Sequence, residues 1–294
     1  MLLFSPVDLR GVPVPDTTRT FCNWLRPKIF DLKSDEETIN VLFLDELSAA
    51  PQSVQAAAYQ IVLDRRAGEH ALPDNTIVIA AGNRTTDKSV AFKIPMALAN
   101  RLLYFEVKAD LNAWKQWAYM NRIDSRIIAF LSFRNLLVVE PTADEKAYPS
   151  PRTWAFCSNI LKCIPGSAID SVVFSLISSA VGLSAACEFR DFCRFQDRLP
   201  NPEDILSGRY QVVPNGQEII FAVSASLVDA MVGKGDRLFQ TEIDNACAYA
   251  VRFPQDYAAS FVIDLLTSSV PKEKRLRCDP LNRWLQKHPE VSVE

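Results

Sequence analysis

The sequence predicts an α/β domain built on a parallel sheet, followed by helical regions. In the first third of the chain, short runs of β-branched and aromatic residues alternate with helical patterns. Further along, apolar residues recur with the 3.6-residue period of helices, and strand patterns are almost absent. We therefore expect a sheet domain at 1–107, a helical domain at 108–200 and a helical C-terminal region at 201–294.

Three strands that alternate with helical segments are expected in the first region. The strands are VLFLD at 41–45, TIVIAAGN at 76–83 and LLYFEV at 102–107, and one of the helical segments is SVQAAAYQIVLDRR at 53–66. Strands that alternate with helices pair in parallel, and parallel sheets are covered on both faces. We therefore expect a buried sheet with helices on each side.

Helical patterns dominate the remainder of the chain. They are LNAWKQWAYMNR at 111–122, DSRIIAFLSFRNLLVV at 124–139, PRTWAFCSNILKCI at 151–164 and SAIDSVVFSLISSAVG at 167–182. Proline, glycine and asparagine then cluster at 198–218, before further helical patterns. This cluster is the predicted boundary between the two helical regions.

The composition argues against several classes of function. A net charge of -3 gives no electrostatic footprint for nucleic acid, so a nucleic-acid partner is not expected. No apolar run has the length of a membrane span, and the first residues lack the pattern of a signal peptide. We expect a cytoplasmic globular protein with no membrane partner.

The cysteines and histidines do not form a recognisable site. Seven cysteines include no C-x-x-C pair, and only two histidines accompany them, which argues against zinc. Four of the cysteines fall in apolar helical patterns and are expected to be reduced core thiols: Cys157, Cys163, Cys187 and Cys193. His70 is expected in a hairpin or loop.

The acidic pair Asp45 and Glu46 follows the apolar run VLFL. A parallel strand delivers its last side chains to the carboxyl edge of the sheet, where α/β folds bind ligands. One carboxylate at such an edge can hold hydrated Mg²⁺ while its neighbour activates water, as nucleotide hydrolysis requires. The alternative is a strand end with two solvated acids.

The order of the motifs resembles that of AAA+ ATPases. VLFLDE resembles a Walker B strand, and TIVIAAGN resembles a sensor 1 strand that ends at Asn83. IPMALANRLLYFEV is similar to the helix, arginine finger and last strand of that fold, with the finger at Arg101. YPSPRTW resembles sensor 2, with Arg152 as the sensor. The segments PVDLRGVPVPD, AAGNR and SPRTW are most similar to the MoxR and dynein-related branch.

The resemblance implies a function and a role for each matched residue. Asp45 would hold Mg²⁺, Glu46 would activate water and Asn83 would orient it. Arg152 would contact the γ-phosphate of ATP, and Arg101 would act on the neighbouring subunit. The implied ligands are ATP and Mg²⁺, and the implied working form is a homo-oligomeric ring, a hexamer, with chaperone or remodelling activity. A von Willebrand factor A domain protein is the implied partner.

Each of three matched residues has a structural alternative. Asn83 would otherwise cap a turn in the G-N-R-T-T loop. Arg101 would otherwise be a surface cation that interacts with the dipole of a helix C-terminus. Arg152 would otherwise pair with a nearby acid, after a proline that starts the helix.

One motif of the family is absent from the sequence. Phosphate binding in this class needs G-x-x-x-x-G-K-[ST], and the only G-K pair here is Gly233-Lys234, with Val228 and Gly235 at the other positions. We therefore expect a P-loop-type AAA+ domain without its Walker A strand and loop, followed by a helical lid. The chain is either a shortened form of a working ATPase or a catalytically inert assembly or adaptor subunit. The joint presence of the matched residues favours the first.

Overall fold

A computed structural model describes residues 1, 3–83, 102–142, 145–164, 169–194 and 199–291. The chain divides into two compact units, Met1–Glu106 and Val107–Glu294, called unit 1 and unit 2 below. Unit 1 contains strands and helices, whereas the regular structure described in unit 2 is helical. The predicted α/β class is confirmed, and the AAA+ architecture stays a prediction.

Unit 1 is a small α/β body. Among its described residues, the strands are β1 (Val12–Pro15), β2 (Cys22–Leu25), β3 (Asn40–Leu44), β4 (Arg66–Ala67), β5 (His70–Ala71) and β6 (Thr76–Ala80), and the α-helices are α1 (Pro6–Arg10) and α2 (Gln52–Asp64). The pairs β1–β2 and β4–β5 are antiparallel, whereas β3 and β6 are parallel. His70 lies in the β4–β5 hairpin, one of the two positions expected for it.

Helix α2 makes the connection between the parallel strands. Its buried residues include Val54, Ala57, Ala58 and Ile61, which follow the spacing that puts side chains on one face of a helix. In the sheet, Asn40 pairs with Thr76, and the register continues to Leu44 and Ala80. The apolar core of unit 1 includes residues of α2 and of β3.

The other face of the β3–β6 sheet is open among the described residues. Val41 and Phe43 are each 57% exposed, and Ile77 and Ile79 are 50% and 46% exposed. Successive side chains of a strand point to opposite faces, so these four share one face. The expectation of a sheet covered on both faces is therefore wrong for the described part of the chain.

The run LLYFEV at 102–107 does not form the expected third strand. The structure assigns no strand to these residues, and Leu103 and Phe105 are 87% and 84% exposed. Strand propensity reports how well side chains fit a pleated, half-buried surface. Without a paired neighbour, that propensity does not produce a strand.

Unit 2 is helical, as predicted. Its helices are α3 (Leu111–Met120), α4 (Ser125–Phe133), α5 (Pro151–Cys163), α6 (Ser171–Val181), α7 (Leu183–Cys193), α8 (Pro202–Leu206), α9 (Gln217–Lys234), α10 (Gln240–Ala250), α11 (Gln255–Thr267), α12 (Lys272–Leu276) and α13 (Asp279–Lys287). Among the described residues, no helix combines the length and apolarity that crossing a membrane requires.

Short polar side chains fix where several of these helices begin. Asp110, Asp124 and Asp170 precede α3, α4 and α6, and each accepts a hydrogen bond from a backbone amide of the first turn. Ser150 does the same before α5 and forms a capping box with Thr153. These caps satisfy amides that have no partner within the helix. The sequence therefore sets these helix starts locally.

One hydrophobic core extends through unit 2. Phe130 of α4 packs against Trp154, Phe189 and Phe192, with ring centroids 5.4 to 5.6 Å apart. Helix α4 also packs along α9, on the other side of the predicted boundary at residues 200 and 201. The domain division stays a prediction.

The four helical cysteines differ in burial. Cys157 and Cys193 are buried, and burial raises the pKa of each thiol to about 12. Cys187 is half-buried, and Cys163, at the end of α5, is exposed. The core-thiol prediction is therefore confirmed for Cys157 and Cys193 and wrong for Cys163, which lies off the buried face of its helix.

Candidate functional site

The candidate site lies at the carboxyl edge of the β3–β6 sheet. Asp45 and Glu46 follow β3, and residues 81–83 follow β6. The segments that follow the two strands are also hydrogen-bonded to each other. The Ala81 amide donates to the Leu44 carbonyl at 3.0 Å, and the Leu47 amide donates to the Ala81 carbonyl at 2.9 Å. The acidic pair and the end of TIVIAAGN are thus neighbours.

The backbone turns sharply at Glu46. This residue has φ 55° and ψ 38°, in the left-handed region, and leads into a 3₁₀ turn at Leu47–Ala49. A left-handed residue other than glycine costs roughly 1–2 kcal/mol. Such strain is concentrated at functional sites. Glu46 is therefore held in position by the surrounding fold rather than by its own preference.

The two carboxylates have different surroundings. Asp45 is exposed, and its Oδ1 accepts a hydrogen bond from the Glu46 amide at 3.0 Å, whereas Glu46 is half-buried. Neither carboxylate has an ion pair with another residue that the structure describes. The α-ammonium of Met1 donates to the backbone carbonyl of Asp45 at 2.9 Å and leaves the carboxylate oxygens untouched.

The donor set at this edge fits Mg²⁺ better than a closed metal site. Within the described ranges, no group of three or more His, Cys, Asp or Glu side chains is placed to hold a metal. Mg²⁺ usually keeps several waters and takes one or two carboxylates together with substrate phosphates. Asp45 provides one such carboxylate.

Gly82 brings the segment after β6 close to the turn after β3. A Cβ at this position would lie 2.6 Å from Ser48 Oγ and 2.9 Å from Ser48 Cβ. Ser48 is buried, and its Oγ has no hydrogen-bond partner among the described residues. The glycine in AAGN hints at such an approach, whereas nothing in the sequence indicates the role of Ser48.

We expect Gly82→Ala to destabilise unit 1 by about 1–3 kcal/mol, the usual cost of overpacking a close contact. Chemical denaturation of the full chain measures this loss. Adding Ser48→Gly to the same chain removes the atoms that the new methyl group meets and should recover part of the stability. Gly82→Ala as stable as the wild type would show that the contact is not tight.

Asn83 lies beside this contact and is exposed. Its side chain makes no hydrogen bond to another described residue. The alternative role, capping a turn in G-N-R-T-T, involves residues from 84 onward, which are outside the described ranges. The role of Asn83 therefore stays a prediction, supported by its place after β6.

Arg152 occupies the first turn of α5. Ser150 is the N-cap of this helix and Pro151 is its first residue. A cation in the first turn opposes the helix dipole, so helix stability does not account for Arg152. It is exposed and forms no ion pair with any residue in the described part of the chain, contrary to the pairing alternative.

The helix that carries Arg152 is firmly anchored. Trp154 is fully buried, and its Nε1 donates to the Leu136 carbonyl at 2.9 Å. Arg152 therefore projects from a helix that is packed into the core of unit 2. Arg101, the predicted arginine finger, lies outside the described residues, and its role stays a prediction.

The pair Gly233-Lys234 does not form a phosphate loop. It ends α9, and the Lys234 Nζ atom lies 2.7 Å from carboxylate oxygens of Glu203 and Glu242. Phosphates bind at helix N-termini, where amides are free, and not at C-termini. Within the described residues, Gly233-Lys234 therefore provides no phosphate-binding loop.

Comparisons with protein-family models, with curated proteins and with solved structures found no match. The function is therefore proposed from the motifs and from the geometry of unit 1 and unit 2.

Proposed function

We propose that this protein is a MoxR-like AAA+ ATPase of the cytoplasm that couples ATP hydrolysis to protein remodelling or chaperone activity in a hexameric ring. The observation that carries the proposal is the convergence of Asp45, Glu46 and the segment ending at Asn83 on one edge of a parallel sheet. Ligands of α/β proteins bind at this edge.

The proposed roles follow from the chemistry of each side chain. Asp45 holds Mg²⁺ through its exposed carboxylate, one oxygen of which is already oriented by the Glu46 amide. Glu46 has no ion pair with another described residue, so its carboxylate is available to take a proton from water. Asn83 has both a donor and an acceptor, which suits it to orient that water.

Two arginines complete the proposal. Arg152 contacts the γ-phosphate, and the support is an exposed guanidinium at a helix start that has no ion-pair partner in the described part of unit 2. An arginine stabilises the charge that develops on a transferred phosphoryl group. Arg101 has the corresponding role toward the neighbouring subunit, on the support of the sequence motif alone.

A second candidate is a catalytically inert assembly or adaptor subunit with the same fold. The absence of G-x-x-x-x-G-K-[ST] from the 294 residues favours it. In either case we propose a von Willebrand factor A domain protein as a partner, by resemblance. The two candidates differ in whether a nucleotide is bound and hydrolysed.

Titration with Mg-ATP tests the proposal. The 294-residue chain lacks a phosphate loop, and Asp45 and Glu46 add negative charge, so we expect binding no tighter than millimolar, about -4 kcal/mol. The same chain preceded by a strand and a G-x-x-x-x-G-K-[ST] loop should bind more tightly and hydrolyse ATP. Isothermal titration and phosphate release measure the two properties.

The outcomes separate the candidates. Tight binding without hydrolysis by the extended chain would support the inert subunit. Micromolar binding by the 294 residues alone would show that the protein holds nucleotide without a G-x-x-x-x-G-K-[ST] loop and would contradict the expected loss of affinity.

A further inference from the structure

Helix α6 has an exposed side that carries no charge. Residues 171–187, which cover α6 and the first part of α7, contain no charged residue and no histidine. Val172 and Leu176 are 62% and 40% exposed, and Leu183, the first residue of α7, is 66% exposed. The solvent side of a surface helix normally carries charged residues. The exposed side of α6 therefore has the composition of a contact surface.

The helical period separates this side from the core. Successive residues are about 100° apart around a helix, so Val172, Ser175, Leu176 and Ser179 fall within about 100° of one another. These four residues are called the outer face of α6 below. The buried residues of α6 lie away from it, and they are Val173, Ile177 and Val181.

The two serines of the outer face have already used their hydroxyl donors. Ser175 Oγ donates to the Ser171 carbonyl at 2.8 Å, and Ser179 Oγ donates to the Leu176 carbonyl at 2.7 Å. Each hydroxyl thus bonds to the backbone of its own helix. The outer face therefore presents two large apolar side chains and two small ones that need no further acceptor.

The absence of charge indicates the kind of partner. In a two-fold contact between identical chains, the same patch lies on both sides, so any charge would face a like charge. An uncharged face avoids this repulsion and is complementary to itself. A strongly charged partner would find no opposite charge on this face.

We propose that the outer face of α6 forms a two-fold contact between two copies of this chain, in which the two α6 helices pack against each other. The small serines let the helices approach closely, and Val172 and Leu176 fill the contact. The contact belongs to unit 2 and does not depend on the proposed ATPase activity. A ring needs a heterologous contact, so pairing through α6 would join two chains or two rings.

The association should be weak and reversible. Eleven residues form a helix about 16 Å long, which covers less than the roughly 800 Å² per partner of a standard interface. We expect a Kd on the order of 100 µM, so the mass of the full chain should double between about 5 and 500 µM in sedimentation velocity. No increase in mass over this range would overturn the proposal.

Single variants locate the contact. Leu176→Glu should weaken association at least about tenfold, because two like charges would enter one apolar contact. Leu276→Glu is the matched control, since it adds the same charge at a 64% exposed leucine of α12 in the same unit, and it should not change association. Undiminished association of Leu176→Glu, or an equal loss in the control, would contradict the assignment. Val172→Glu repeats the test if Leu176→Glu lowers the unfolding midpoint.

A mixture of two variants tests the symmetry of the contact. Leu176→Lys alone should dissociate like Leu176→Glu. An equimolar mixture of the two should regain association, because opposite charges then meet across the two-fold axis. If α6 docked on a different surface of the second copy, the mixture would stay as dissociated as its components. That result, with both variants folded, would overturn a contact between two α6 helices.

Discussion

Replacing Glu46 by glutamine is expected to lower the kcat of ATP hydrolysis by about 10²–10⁴-fold, the usual contribution of a general base. The comparison is made in the chain preceded by a phosphate-binding loop. Glutamine keeps the size and shape of glutamate but cannot take a proton from water. ATP binding and ring assembly should therefore persist while turnover falls, as steady-state kinetics and nucleotide titration will report.

The control for this prediction is Glu36→Gln. Glu36 is an exposed acid of the same unit, outside the regular elements and away from the carboxyl ends of β3 and β6. Its substitution changes the charge by the same amount and should leave kcat unchanged. Full activity of Glu46→Gln would remove Glu46 from the proposed chemistry. A lowered unfolding midpoint in that variant would attribute the loss to folding instead.

The parallel pair of strands could be predicted because its signals are local. VLFL and IVIA are continuous apolar runs, and the helix between them has its buried apolar residues on one face. The run at 102–107 is also rich in apolar and aromatic residues, but it forms no strand. A strand also needs a neighbouring strand with which its backbone can form hydrogen bonds. The composition of a segment does not show whether such a neighbour is present.

The candidate site was predicted in outline and not in detail. Two parallel strand ends must share an edge, so the proximity of Asp45 to the end of β6 followed from the pattern. The left-handed backbone of Glu46 and the approach of Gly82 to Ser48 did not follow. Both depend on how the two turns pack, and neither leaves a periodic signal in the sequence.

The buried ion pair in unit 2 could not be predicted either. Lys115 lies in a helical pattern, where a lysine normally faces solvent. Tyr119 and Asp264, which meet in the core, are 145 residues apart in the chain. Only the packing of α3 against α11 brings Lys115 and Asp264 together and buries both.

Lys115→Met is expected to lower the free energy of unfolding by about 3–5 kcal/mol. Methionine has a similar length, so the main change is the loss of the charge that faces Asp264. The carboxylate would then be buried with the Tyr119 hydroxyl as its remaining hydrogen-bond donor among the described residues. Chemical denaturation of the full chain at pH 7 measures the effect.

The loss of stability in Lys115→Met should be smaller at low pH than at neutral pH. The pKa of Asp264 is already raised above its ordinary value of 3.8 by burial, and removing Lys115 raises it further. A carboxyl group with a raised folded pKa binds its proton more tightly in the folded state. Its contribution to stability is therefore present at low pH and is lost as pH rises from the unfolded pKa through the folded pKa. Lys115→Met should lose less stability at about pH 4 than at pH 7.

Two further variants test whether the unpaired charge of Asp264 causes the loss of stability in Lys115→Met. Lys115→Met combined with Asp264→Leu removes both ions, and it should recover most of the lost stability, because apolar replacements of a buried pair are often neutral or stabilising. Lys162→Met removes an exposed lysine from α5 and should change stability by no more than about 0.5 kcal/mol. If the double variant is as unstable as Lys115→Met, the loss comes from packing around α3 and not from an uncompensated carboxylate.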